Sequence, residues 1–136
     1  MTNDQLPVNR HPTLRIMPMP CDTNSAGDIF GGWMMSQVDI AGSVAALRRA
    51  RGRIVTVAVN AFQFRKPVFV NDVVSFYAEV VRVGRTSITV DVVVYAERIR
   101  HNDGWAAECV KVTEATITYV AIDDQRRPRE VPPETD

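Results

Sequence analysis

Histidine and cysteine are almost missing from this sequence: its 136 residues hold only His11, His101, Cys21 and Cys109 of those types. His11 lies in a polar opening stretch and His101 in an expected loop. A Ser–His or Cys–His nucleophile pair therefore has no ready members, and no GxSxG elbow is present. The cysteines show neither zinc-ligand nor redox spacing. A chain that is 46% hydrophobic does not need a disulfide staple, which favours a reducing compartment and hence the cytoplasm. Metal-ligating residues do not cluster, so no metal is expected. Net charge is missing too, with sixteen basic residues balancing sixteen acidic ones. The molecule as a whole has no pull toward nucleic acid or a membrane surface, and neither is expected as a partner. No run approaches the ~18 apolar residues of a membrane span, and MTNDQLPVNRHP lacks the apolar centre of a secretory signal. GDIFGG matches neither a Walker A loop nor GxGxxG. If the protein is a hydrolase, carboxylates and backbone dipoles must do the chemistry.

What is present reads as one domain with short ends. Residues 1–12 form a polar, proline-containing arm expected to be flexible, and 123–136 (DDQRRPREVPPETD) a charged, Pro-rich tail. Between them, residues 13–122 show no linker, repeat or low-complexity tract. TLRIMPM (13–19) fits a short first strand ended by Pro18 and Pro20. From Gly31 to Ala50 the pattern is helical. Trp33, Ile40, Val44 and Leu47 share one side; Met34, Val38, Ala41 and Ala45 the next; Met35, Gly42 and Ala46 a third. Only Ser36, Asp39 and Ser43 form a polar strip, so the helix is expected to be wrapped by other structure. Arg48, Arg49 and Arg51 gather at its end, where positive charge suits the macrodipole.

The period then changes. IVTVAVNAFQF (54–64), VVSFYAEVVRV (73–83), SITVDVVVYAERI (87–99) and WAAECVKVTEATITYVAI (105–122) are rich in β-branched and aromatic residues. Ile88, Val90, Val92 and Val94 alternate with Thr89, Asp91 and Tyr95, the period of a strand with one buried face. Breaks at Lys66-Pro67, Asn71-Asp72, Gly84-Arg85 and Asn102-Asp103-Gly104 are short, so the later strands are expected to be mostly antiparallel neighbours. The expected architecture is α+β: a five-stranded antiparallel sheet curled around one central helix.

Residues 27–42, GDIFGGWMMSQVDIAG, place Asp28 just before a glycine pair and Asp39 inside a helix that is otherwise apolar. Asp28 has an ordinary explanation as the helix N-cap. That does not account for Gly31 and Gly32, each of which costs about 1 kcal/mol against alanine in a helix. The pair makes sense if something must approach the backbone closely, where N–H groups at the positive helix end stabilise a developing oxyanion. Asp39 is either a hydrogen-bonded structural acid or a second functional acid. Trp33, Phe62 and Phe64 are core aromatics or walls of a substrate tunnel. Arg65-Lys66-Pro67, Arg82 and Arg85 flank strand ends, as solvated turns commonly do.

DTNSAGDIFGGWMMSQVDIAG, followed by GRIVTVAVNAFQFRKPVFVNDVV and VGRTSI, resembles the YciA-type acyl-CoA thioesterases of the hotdog fold, from about Leu14 to Pro128. The resemblance implies that Asp28 is the catalytic carboxylate and Asp39 a second acid. It also implies that the Gly31 and Gly32 amides polarise the thioester carbonyl. Asn24, Trp33, Phe64, Arg65, Lys66 and Arg85 become candidate substrate-binding residues, the basic ones toward the CoA phosphates. Where the family loop often reads Thr-Asn-Ala-Asn-Gly-Asp, this chain has Ala26 in place of the second asparagine. The implied reaction is acyl-CoA plus water to a carboxylic acid plus CoA, with Asp28 as general base or as nucleophile. CoA enters as part of the substrate, and no cofactor is required. The implied assembly is a homo-oligomer, at least a dimer and often a trimer of dimers, with sites between subunits. Two rivals stand beside this reading: a non-catalytic acyl-CoA sensor, and a hotdog dehydratase, which would usually carry a histidine where Asp-Ile-Phe stands here.

Overall fold

The computed structural model describes residues 3–100 and 106–134. His101, the expected turn at Asn102-Asp103-Gly104 and Trp105 lie outside them. The chain runs β1 (Leu14–Ile16), a 3₁₀ turn (Pro20–Asp22), α1 (Gly31–Ala50), β2 (Ile54–Phe64), β3 (Val73–Val83), β4 (Ser87–Arg100) and β5 (Ala106–Ala121). The sheet order is β1-β3-β4-β5-β2, antiparallel at every pairing. α1 packs against β2, β3, β4 and β5. The first strand is shorter than the expected 13–19: it ends at Ile16. Pro18 and Pro20 have no N–H to give a ladder, and Pro20 starts the 3₁₀ turn instead.

The helix buries Met34, Val38, Ala41, Gly42, Ala46 and Ala50, the spacing of one face of a 3.6-residue period. Against it lie the inward residues of β4 (Ile88, Val90, Val92, Val94 and Ala96) with Phe76, Ile117 and Tyr119. Burial of the helix is one-sided, contrary to the expectation from composition. Ile40 is 46% exposed and Leu47 52% exposed, because one sheet covers only the face turned toward it. β2 is an edge strand of 11 residues that pairs only with β5, and its Val57 and Val59 are exposed. A long, exposed apolar edge of this kind is a template for pairing with another chain. No helix among the described residues is long and apolar enough to cross a membrane.

Segments on either side of the core are tied to it, Asn3 and Asp4 to β5 and Arg129 and Pro132 to α1. β2 stops pairing at Phe64↔Thr113, which leaves the first part of β5 with a free edge. There the Asp4 N–H donates to the Cys109 carbonyl (2.8 Å). In return the Cys109 and Lys111 N–H groups donate to Asn3 Oδ1 (2.7 Å) and Asp4 Oδ2 (2.8 Å). At the other end of the molecule Arg129 donates to the Ala50 carbonyl (3.0 Å), closing an orphan acceptor of α1. Arg49 donates to the Pro132 carbonyl (2.5 Å).

Candidate active site

The loop before α1 folds around one side chain. Asn24 Oδ1 accepts from the amides of Ala26 (2.9 Å) and Asp28 (3.1 Å), and the Asn24 N–H donates to the Asp28 carbonyl (2.7 Å). Gly27 takes φ 88°, a left-handed conformation that glycine reaches without a Cβ penalty. This small closed loop carries Asp28 to the helix entrance. The Phe30 N–H donates to Asp22 O (3.1 Å) and the Ile29 N–H to Val68 O (3.3 Å), fixing the loop against the chain on either side.

Asp28 is not the N-cap. Phe30 holds that position, and no side chain caps the helix. Among the described residues the Asp28 carboxylate has no hydrogen-bond partner and no ion pair, and it is exposed. The ordinary explanation for this acid therefore fails on geometry, and the first amides of α1 face outward without a side-chain acceptor. Gly31 admits a close neighbour: a Cβ there would lie 3.3 Å from the Phe64 ring. At Gly32 a Cβ would meet nothing within 4 Å.

A cleft of about 420 Å³ opens at this point, between Asp28, Gly31 and Met34 on one side and Phe64, Lys66 and Val68 on the other. Small-molecule sites are commonly of this size. Asn24, Arg65 and Thr113 also line it. Arg65 is already engaged: it donates to Glu114 Oε2 (2.5 Å) and Gln63 Oε1 (2.9 Å). Lys111 also pairs with Glu114. Hydrogen bonds from Lys111 and Arg65 hold the Glu114 carboxyl below its usual range. Lys66 has no such partner among the described residues.

The remaining sequence candidates fall elsewhere. Trp33 is partly buried and packs against the core. Asp39 lies roughly 12 Å along α1 from Gly31, at 1.5 Å rise per residue. Its Oδ1 accepts from Thr56 Oγ1 (2.8 Å) and from the Tyr119 hydroxyl (3.1 Å). Burial first, then the charge of Asp39, pushes the Tyr119 phenol well above its ordinary range, so it remains a donor. Arg85 sits in the β3–β4 turn beside Glu130 (3.7 Å). The sheet register puts that turn next to Val120 and the cleft next to Thr113. Seven strand residues separate them, roughly 23 Å at 3.3 Å each. In a single chain, Asp39 and Arg85 do not reach the cleft.

Thr113 is the cleft residue that sequence reasoning missed. Its register is set by a bulge: Val94 pairs with Thr113 but Tyr95 pairs with Lys111, so Val112 is the extra residue. The signal was in the spacing, since Val110 and Val112 are out of phase with Ala115, Ile117 and Tyr119. A strict period of two drawn from Val110 and Val112 turns Thr113 outward.

The loop support of the cleft includes one buried pair. Asp72, 2% exposed, accepts from the Phe69 N–H (2.9 Å) and from Arg98 (2.9 Å). Arg98 also stacks over the Phe69 ring at 4.9 Å. Among the described residues, no group of three or more His, Cys, Asp or Glu side chains comes together as a metal site.

Comparison with known proteins agrees with this architecture. The family profile described as the thioesterase superfamily matches residues 26–101. The chain is 45% identical over 121 residues to the acyl-CoA thioester hydrolase YciA of Escherichia coli (strain K12), covering 89% of this chain and 90% of that protein. Among solved structures, a hexameric hotdog fold thioesterase of Campylobacter jejuni superposes with a TM-score of 0.86 at 41% identity, covering 90% of this chain and 91% of the other. An acyl-CoA hydrolase of Staphylococcus aureus, solved with butyryl coenzyme A and coenzyme A, gives a TM-score of 0.77 at 28% identity over 90% of this chain and 74% of its own.

Proposed function

Because the chain belongs to the thioesterase superfamily and is an acyl-CoA thioester hydrolase of the YciA type, we propose that Asp28 is its catalytic carboxylate. One observation carries the assignment: Asp28 stands without a partner among the described residues at a cleft of about 420 Å³ that also presents the first turn of α1. A carboxylate held by a loop that it does not itself stabilise is available for chemistry. The thioester carbonyl lies over the Gly31 and Gly32 amides, whose N–H groups and partial positive charge stabilise the oxyanion as it forms. Asp28 then takes a proton from water, or attacks the carbonyl to give a mixed anhydride that water opens. CoA leaves as a thiolate, a leaving group good enough to need no histidine.

Lys66, at the cleft and without an ion-pair partner among the described residues, is the first basic partner for the CoA phosphates. Arg65 is reached only by exchange with Glu114. Asp39 and Arg85 serve through assembly, brought from a neighbouring copy to a site that each chain holds only in part. The protein is a homo-oligomer, as its hexameric relatives are. The exposed β2 edge and the bare side of α1 favour a dimer through these surfaces, assembled further as a trimer of dimers. Two free thiols, Cys21 and Cys109, support a reducing compartment and a cytoplasmic location.

The test is Asp28→Asn in a thiol-release assay across acyl-CoA chain lengths. Loss of general-base assistance is worth about 10²–10⁴-fold, so kcat should fall at least 10²-fold. The melting temperature should stay within a degree or two, because Asp28 caps nothing. Wild-type turnover in this variant would sink the assignment of Asp28 and point to another acid.

A further inference from the structure

Two neighbouring strands aim hydroxyls at one carboxylate. Thr56 on β2 and Tyr119 on β5 are direct cross-strand partners, so their side chains leave the sheet on the same face, here the helix side. Thr56 Oγ1 donates to Asp39 Oδ1 (2.8 Å). The Tyr119 hydroxyl lies 3.1 Å from that same oxygen and 3.0 Å from the Asp39 backbone carbonyl. A contact made at once to the main chain and the carboxylate of one residue survives in only one side-chain rotamer. Burial first, then the charge of Asp39, holds the phenol well above its ordinary range, which makes it a permanent donor. The helix gives up alanine at position 42 to admit it. A Cβ there would collide with the Tyr119 hydroxyl, and an interior glycine is the poorer helix former.

Asp39 Oδ2 is left over. Among the described residues it has no hydrogen-bond partner. Ile40 follows Asp39 on α1 and Val57 follows Thr56 on β2, and both are exposed, so this acid belongs to the surface through which copies of the chain pair. Interface centres are depleted of charge, and a covered carboxylate with an unbonded oxygen is costly unless the site it joins uses that oxygen. We infer that Tyr119 is a positioning residue for hydrolysis: its hydroxyl locks the Asp39 carboxylate in one rotamer and leaves Oδ2 free for the shared site. This rests on the reading of Asp39 as an acid supplied from a neighbouring copy, and not on the assignment of Asp28.

Acyl-CoA turnover by Tyr119→Phe, Gly42→Ala and Asp39→Asn tests this, with Val74→Ala as a control for loosened packing. Val74 is fully buried on β3, two strands from β5 and outside the cleft lining. Each protein is assayed well below its own melting temperature. Tyr119→Phe keeps the ring and should lower kcat about tenfold or more, the scale of a slightly misplaced group, with KM within about twofold. Gly42→Ala, which drives the hydroxyl off Asp39 from the other side, should lower kcat likewise. Val74→Ala should melt lower yet turn over at close to the wild-type rate. Asp39→Asn still accepts from both hydroxyls and lacks only the charge, so it should fall further than Tyr119→Phe. Wild-type kcat in Tyr119→Phe or Gly42→Ala, a loss confined to KM, or an equal loss in Val74→Ala overturns the inference. A smaller species of Tyr119→Phe in light scattering assigns the loss to assembly and overturns it too. Wild-type turnover by Asp39→Asn removes the shared acid and the inference with it, whereas an impaired Asp39→Asn beside a fully active Tyr119→Phe condemns only the role of the tyrosine.

Discussion

Gly42 and Tyr119 are locked together, and substituting both should reveal it. A Cβ on Gly42 would sit 2.4 Å from the Tyr119 hydroxyl oxygen and 3.3 Å from Cζ. Tyr119 is fully buried, and its hydroxyl donates to the Asp39 carbonyl (3.0 Å) and to Asp39 Oδ1 (3.1 Å). The ring has nowhere to swing. Gly42→Ala gains about 1 kcal/mol of helix propensity. Against this stand about 1–3 kcal/mol of overpacking and about 1.5–3 kcal/mol for displacing a hydrogen bond to a charged group. A net loss of about 1.5–5 kcal/mol is expected from these terms. Tyr119→Phe alone should lose about 1.5–3 kcal/mol, since Thr56 still serves Asp39. In the Tyr119→Phe background the oxygen is gone, and Gly42→Ala should be close to neutral. Urea denaturation of the four proteins at one protein concentration gives the coupling energy, expected to exceed about 1.5 kcal/mol. Additivity within about 0.5 kcal/mol would refute the claim that the glycine exists to admit the hydroxyl.

Lys66→Ala should raise KM for acyl-CoA several-fold with little change in kcat, and leave an acyl-pantetheine substrate, which lacks the nucleotide phosphates, almost unaffected; equal losses on both substrates would place Lys66 elsewhere. Burial is the leading influence on Asp72 and raises its carboxyl above the ordinary 3.8, despite the Phe69 amide and Arg98. The folded state therefore binds this proton more tightly than the unfolded one, and the Asp72 contribution to stability grows as pH falls from the raised value through 3.8. In paired urea titrations the wild type should accordingly gain on Asp72→Asn as pH is lowered through that window, and a gap that shrinks would contradict the assigned cause. Val59→Lys puts a charge among the exposed valines of the β2 edge and should shift the protein toward smaller species in light scattering, whereas an unaltered assembly would mean that the edge is not an interface.

The sequence made the fold legible because its periods are clean. The Gly31-Gly32 pair and the arginines after Leu47 bracket a helix observed at Gly31–Ala50, and the valine-rich runs at 54–64 and 73–83 are strands with those bounds. What escaped depends on partners far apart in the chain. Asp39 meets Tyr119 from 80 residues away, and no local pattern announces that pairing. Composition made α1 look wrapped on all sides, yet Ile40 and Leu47 are bare in one chain, because apolar residues do not say whether their own sheet or another copy covers them. Asp28 stands where an N-cap would be sought, but loop bonds centred on Asn24 carry the chain two residues further, and Phe30 enters the helix instead. The basic residues at Arg65 and Arg85 look alike in sequence, but strand length sets them at opposite ends of the sheet.

The strip formed by Asn3 and Asp4 on β5 also bears on how the protein is made. Its hydrogen bonds join residues 106 and 107 positions apart, so this early segment can dock only after β5 has emerged from the ribosome. Closing so long a loop is slow compared with pairing neighbouring strands. Until then, the Cys109 and Lys111 amides face solvent on a bare strand margin, open to whichever extended peptide arrives first. The polar, proline-containing character of residues 1–12 suits a segment that must stay soluble while it waits.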